Sequence, residues 1–149
     1  MTVVAIDGKT IACDTQITYG IHAEQSDLHS KVVETDDFIF AYTGAYMLFQ
    51  PWMNWFEEGR DPAAIPPANY NDNGITLWAW DGAVLYEVNS QTPYLIKIEH
   101  SLNALGTGRE YAIGALEMGA TAEEAVKIAC KYDTNSGGAV KVFDLRLII

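Results

Sequence analysis

Cysteine is scarce in this chain. Cys13 and Cys130 are the only two in 149 residues, and they form no CxxC pair. A disulfide framework is therefore not what organises the fold. Two cysteines neither require nor exclude one bridge, and a reducing cytoplasm is the simpler expectation. Basic residues are also few, with 9 Lys and Arg against 20 Asp and Glu and a net charge of −11. That balance argues against a nucleic-acid partner. No run approaches the roughly 20 apolar residues of a membrane span. No basic segment followed by an apolar one opens the chain, so no secretory signal is expected. His22, His29 and His100 lack the spacing of metal ligands. Asn69 to Gly74 echoes part of a calcium loop but puts Trp80 where the twelfth-position glutamate belongs. GxSxG is absent, and GTGREYA lacks the lysine of a phosphate loop. Neither a metal nor an organic cofactor is expected.

Hydrophobic residues make up 49% of the chain and charged ones 19%, a composition that supports a globular core. The length suits one domain over residues 1–149. Residues 2–6 and 9–14 are β-rich and flank Asp7-Gly8, a two-residue hairpin signal that would set Thr2 opposite Cys13. Residues 16–30 are polar and read as a loop or irregular edge. Strands follow at about 31–35 and 37–42. Tyr46, Met47, Phe49, Trp52, Met53, Trp55 and Phe56 then suit a buried helix over 43–58, kinked or restarted at Pro51. Residues 59–74, rich in Pro, Asn and Asp, read as a long loop. Strands return at 75–80, 83–88 and 94–98. Thr107 with Glu110 and Thr121 with Glu124 have capping-box spacing and predict two helices, with Gly119 as the C-terminal cap between them. The end, 139–149, is β-rich. Strands joined by hairpins with grouped helices predict α+β layers.

Several residues carry possible chemistry. Met1 precedes a small residue, and trimming it would leave Thr2 with a free α-amine beside its own hydroxyl. That pairs a nucleophile with a built-in base. Such an amine has a reference pKa of about 7.7–8.0 and is partly neutral at pH 7. Lys31 near that hydroxyl would favour its deprotonation, and Asp14 would hold the lysine. By themselves, both could equally be solvated surface groups. Thr107 between two glycines reads first as a helix N-cap. Tyr132 to Gly138 reads first as a polar turn, within which Asp133 and Ser136 could orient a terminal amine.

In order along the chain these segments resemble the proteasome β-type family of N-terminal nucleophile hydrolases, including HslV-type peptidases. TVVAIDGKTIACDTQIT is similar to the family's first hairpin, with Thr2 as the nucleophile and Asp14 as the aspartate closing the second strand. HSKVV supplies Lys31, and FIFAYTGAYMLF matches the segment entering the first helix. ALGTGREYAIGALEMGATAEEAVKIA resembles the glycine–serine–glycine helix start and the helix pair, with Thr107 in place of the serine. YDTNSGG resembles the supporting loop, with Asp133 and Ser136. The resemblance implies a four-layer αββα sandwich with a reduced first helical layer, because the missing length falls at 59–74. It implies threonine-type endopeptidase activity on polypeptides inside a homo-oligomeric ring or double ring, with an ATPase unfoldase as a possible partner. It assigns the oxyanion to the N–H of Ala41, where the family usually has glycine. Val33, Ile39 and Met47 would line an apolar pocket for the residue before the cut. The alternatives are a non-catalytic ring subunit, which a retained Met1 would favour, and an N-terminal nucleophile hydrolase of small amides.

Overall fold

Strand alternation sorts the side chains into layers. The computed structural model describes residues 2–19, 22–25, 30–99 and 101–145. In chain order the elements are β1 (Val3–Ile6), β2 (Thr10–Cys13), β3 (Gln16–Tyr19), β4 (His22–Gln25), β5 (Val32–Glu34), β6 (Ile39–Gly44), α1 (Phe49–Glu57), β7 (Ile75–Trp80), β8 (Leu85–Asn89), β9 (Thr92–Ile98), β10 (Asn103–Gly106), α2 (Arg109–Glu117), α3 (Ala122–Tyr132) and β11 (Lys141–Asp144). One sheet has the order β10-β1-β2-β11 and the other β5-β6-β7-β8-β9, while β3 and β4 form a separate ribbon. The pairings are antiparallel.

Successive residues of a strand point to opposite faces. Val3, Ala5, Ala12 and Ala104 therefore meet α2 and α3, where Ala112, Leu116, Ala125, Val126 and Ala129 pack on them. Alanines on both sides let the helices sit close to this sheet. Val4, Ile6, Ile11 and Cys13 point the other way, onto Val32, Ile39, Ala41 and Trp78 of the second sheet. The far face of that sheet, with Phe40, Leu77 and Val88, is covered by Trp52, Met53 and Phe56 of α1. The result is the expected αββα sandwich. Among the described residues, its first helical layer holds one α-helix.

Local chemistry shifts several boundaries from the sequence expectation. Ile6 pairs with Ile11 and Trp80 with Leu85, so four residues instead of two separate the paired positions at each Asp-Gly turn. Asp7 accepts from the N–H groups of Lys9 and Thr10 at 2.9 and 2.7 Å, and Asp81 does the same for Ala83 and Val84 at 2.9 and 2.7 Å. These carboxylates stabilise the longer loop. Val4 consequently faces Cys13, a slip of two residues that keeps every side chain on its expected face. Residues 16–19 and 22–25, expected as loop, pair as β3 and β4. The four residues of β10, not expected as a strand, add an edge to β1. The single helix expected over 43–58 is a 3-10 turn at Tyr46–Leu48 followed by α1, which starts just before Pro51. Pro51 lies in the first turn of α1, where an N–H has no helical acceptor in any case.

The helix starts differ from each other. Thr121 caps α3 in a complete capping box with Glu124, whereas α2 begins at Gly108 with no side-chain cap. Thr107 is therefore not the N-cap the spacing predicted, because its hydroxyl bonds elsewhere. Thr121→Ala is expected to cost about 1 kcal/mol, read as a lower midpoint in urea unfolding. Thr107→Ala removes no helix cap, and its loss by the same measure should be that of the hydroxyl's bond to Asp133.

Candidate active site

The start of β1 and the end of β2 lie side by side in the antiparallel pair, which brings Thr2 against Asp14. Both are buried, as is Lys31, which precedes β5. The Thr2 hydroxyl donates to Asp14 Oδ1 at 2.5 Å. Lys31 Nζ donates to the same oxygen at 2.6 Å and to the Gln16 carbonyl at 2.6 Å. Two backbone donors complete the carboxylate: Val3 N–H reaches Oδ1 at 3.1 Å and Gly137 N–H reaches Oδ2 at 3.0 Å. Asp14 is thus a junction for the nucleophile candidate, the lysine and the C-terminal loop.

A second cluster lies on the other side of the Thr2 main chain. Asp133 Oδ2 accepts from Thr107 Oγ1 at 2.7 Å and from Ser136 Oγ at 2.6 Å, and Oδ1 accepts from Asn135 N–H at 3.2 Å. Thr107 Oγ1 is also 3.5 Å from the Thr2 carbonyl oxygen, and Gly108 N–H donates to that oxygen at 3.3 Å. Gly106 has φ +99°, and a Cβ there would lie 2.0 Å from the Thr2 carbonyl oxygen. Only glycine can pass this close to the threonine.

Electrostatics differ between the two clusters. Burial pulls the Lys31 pKa below the usual lysine value, against Asp14, which works to raise it. Taking an ammonium out of water disfavours its charged form. Burial alone would raise Asp133, but the hydrogen bonds from Ser136, Thr107 and the Asn135 N–H outweigh it and hold the carboxyl below its ordinary 3.8. A depressed carboxyl contributes stability above its unfolded pKa and loses it as pH falls through the folded one. Asp133→Asn is therefore expected to lower the melting temperature at pH 7. The gap to wild type should close as pH falls through the lowered folded pKa of Asp133, because the wild-type carboxyl is then also neutral. Thermal melts at pH 7 and at a series of successively lower pH values check this.

An open cavity of about 370 Å³ lies beside Thr2 and Lys31. Of the residues expected to line a pocket, Met47 does so; Val33 and Ile39 do not. Val33 packs toward the α1 core and Ile39 lies between the sheets. Ala41 is also placed away from its expected position. It is fully buried between the sheets, paired with Val32 on one side and Trp78 on the other, while Gly44 and Ala45 border the cavity. The expectations for Val33 and Ile39 fail because β5 and β6 alternate their side chains between two packed cores, and Ala41, whose expected part was its backbone N–H, lies inside the sheet between Val32 and Trp78 and does not border the cavity. Sequence reasoning missed Gln16 and the Tyr70–Asn73 turn, which also line the cavity. The first lies in an unforeseen strand and the second in a stretch with no periodic signal. Among the described residues, no group of three or more His, Cys, Asp or Glu could hold a metal ion, and no helix is long and apolar enough to cross a membrane. His29 and His100 lie outside the described residues.

No protein-family model and no curated protein matches this chain. Solved structures do. BPH of Thiobacillus denitrificans superposes with a TM-score of 0.75 at 20% identity, covering 99% of this chain and 98% of that one. The same protein in complex with epoxomicin gives 0.70 at 19% identity, with 99% of each chain covered. Eukaryotic HslV from Trypanosoma brucei gives 0.73 at 20% identity, with 97% and 98% covered. The fold of this chain is the HslV-like, proteasome-type fold.

Proposed function

We propose that this chain is a threonine peptidase subunit that cleaves polypeptides once the residue before Thr2 is removed. The observation carrying this reading is that the Thr2 hydroxyl and the Lys31 ammonium meet on one oxygen of Asp14, at the edge of an open cavity. In the reaction, the freed α-amine of Thr2 takes the hydroxyl proton, directly or through a water. Thr2 Oγ then bonds to the scissile carbonyl carbon. The C–N bond breaks, the proton passes to the departing amine, and an ester to Thr2 remains. Water hydrolyses that ester and restores the hydroxyl. Lys31, kept in place by Asp14 and the Gln16 carbonyl, stabilises the developing alkoxide. Asp133, Ser136 and Thr107 position the Thr2 main chain and its amine. The oxyanion is met by the backbone of the stretch 44–47 that borders the cavity, in place of Ala41. The polypeptide substrate, a homo-oligomeric ring and an ATPase unfoldase follow from the family resemblance, as does a cytoplasmic setting.

Epoxomicin, bound by the Thiobacillus denitrificans neighbour, is a direct probe. Protein whose intact mass shows a start at Thr2 is expected to gain one epoxomicin mass. Protein that keeps Met1 should not. Equal modification of both forms, or of neither, would contradict a terminal threonine nucleophile. One observation favours the second reading, a non-catalytic subunit of the same fold: Thr2 is only 2% exposed. Absence of any adduct in the trimmed protein is the result that reading expects.

A further inference from the structure

We propose that Gln16 is a positioning residue for the peptidase reaction, and that its side-chain amide works through the loop carrying Asp133 and Ser136. The inference rests on the peptidase reading and adds a residue to its machinery. Gln16 opens β3, borders the cavity beside Thr2 and is 4% exposed. Its Nε2 donates to the Thr134 carbonyl at 3.1 Å, while its own carbonyl accepts from Lys31 Nζ at 2.6 Å. A carbonyl only accepts, so the amide turns its nitrogen to Thr134. One residue thus touches both halves of the site. These are the lysine that shares Asp14 with the Thr2 hydroxyl, and the loop whose side chains support the Thr2 main chain.

The contact with the loop falls on a single peptide group. The Thr134 carbonyl and the Asn135 N–H belong to the same planar unit. Gln16 holds its oxygen end, and Asp133 Oδ1 accepts from its N–H at 3.2 Å. Donation to the oxygen polarises the peptide and strengthens the bond its N–H makes. Asp133 Oδ2 in turn accepts from Ser136 and Thr107, and Thr107 Oγ1 lies 3.5 Å from the Thr2 carbonyl oxygen. The line from Gln16 to Thr2 is therefore continuous: amide, peptide, carboxylate, hydroxyl, main chain. Other bonds join the same two segments farther along. Gly137 N–H donates to Asp14 Oδ2 at 3.0 Å, Thr15 N–H to the Gly137 carbonyl at 3.1 Å, and Thr15 Oγ1 to the Ala139 carbonyl at 2.8 Å. They fasten the loop beyond Ser136, whereas Gln16 acts on the peptide next to Asp133.

Two substitutions of similar shape test this. Gln16→Met keeps the bulk at the cavity wall and removes the donor. Gln16→Glu keeps the outline and sets a carboxylate oxygen against the Thr134 carbonyl, where two acceptors repel. In protein that begins at Thr2, Gln16→Met is expected to lower kcat for a fluorogenic peptide by about tenfold with KM within about twofold, because the reacting groups lose their placement while the substrate site stays. Gln16→Glu should lose at least as much. Gln16→Met/Asp133→Asn should be little slower than Asp133→Asn alone, because both changes act through one carboxylate. Amide hydrogen exchange by NMR reads the clamp without turnover. The Asn135 N–H should exchange about tenfold faster in Gln16→Met than in wild type, with the β1 amides unchanged. Full kcat in either variant, a loss confined to KM, losses that multiply with Asp133→Asn, or unchanged Asn135 exchange would each overturn the proposal. No turnover by the trimmed wild type, with exchange as expected, would instead overturn the peptidase reading, and the positioning role with it, while the clamp stands.

Discussion

Asp14→Ala is expected to destabilise the protein by about 3–5 kcal/mol and to abolish peptide hydrolysis together with it. Asp14 is fully buried and accepts from four donors: Thr2 Oγ1, Val3 N–H, Lys31 Nζ and Gly137 N–H. Truncation leaves a buried ammonium against the Gln16 carbonyl with no counter-charge beside it, and leaves two backbone N–H groups and a hydroxyl without this partner. Each such orphan costs more than the bond it made was worth. Lys31→Met is expected to cost less, because the carboxylate it leaves keeps the other three donors. The double variant Asp14→Ala/Lys31→Met should be more stable than Asp14→Ala alone, since the unpaired buried charge is gone. Urea unfolding of the three variants gives the coupling between the two groups. Additive losses would show that the pair does not act as a unit.

Gly106→Ala is the second large effect. The added methyl would sit 2.0 Å from the Thr2 carbonyl oxygen and 2.7 Å from its carbonyl carbon, on a backbone with φ +99°. The clash is with main chain, so no rotamer relieves it. β1 would have to move off β10 at the pairing of Val3 with Gly106. The expected loss is upwards of about 4 kcal/mol, from backbone strain plus overlap. Gly59→Ala separates the two causes. Gly59 has φ +102°, and nothing lies within 4 Å of its added Cβ. It should lose only the strain, about 1–3 kcal/mol. Similar losses at the two positions would mean that close approach to Thr2 contributes nothing.

The order of layers is legible in the sequence because alternation in β1, β2 and β6 and the aromatic spacing of α1 are strong local signals. Thr2, Asp14 and Lys31 are legible as a set through the family resemblance, and the folded chain does bring them within hydrogen-bonding reach. So are Thr107, Asp133 and Ser136, although the capping-box spacing at Thr107 points to the wrong partner. A carboxylate 26 residues away wins that hydroxyl, and no local rule anticipates it. The errors at Val33 and Ile39 have a different origin. Nearness along the chain to Lys31 and Met47 suggests nearness to the site, while strand alternation sends these side chains into the two cores. The Tyr70–Asn73 turn is half legible. Asn69 to Gly74 reads locally as a turn cluster, and Asn71 and Asp72 take positive φ there, but its place beside the cavity depends on Trp52 and Ser90, which bond to the carbonyls of Pro67 and Ala68 from far along the chain.

Hydrolysis of fluorogenic peptides by Thr2→Ala and Thr2→Ser bears most directly on a Thr2 nucleophile. Each is compared with wild type in protein shown by intact mass to begin at residue 2. Turnover should vanish in Thr2→Ala and persist in Thr2→Ser, which keeps the hydroxyl and the amine. Undiminished turnover by Thr2→Ala would contradict it.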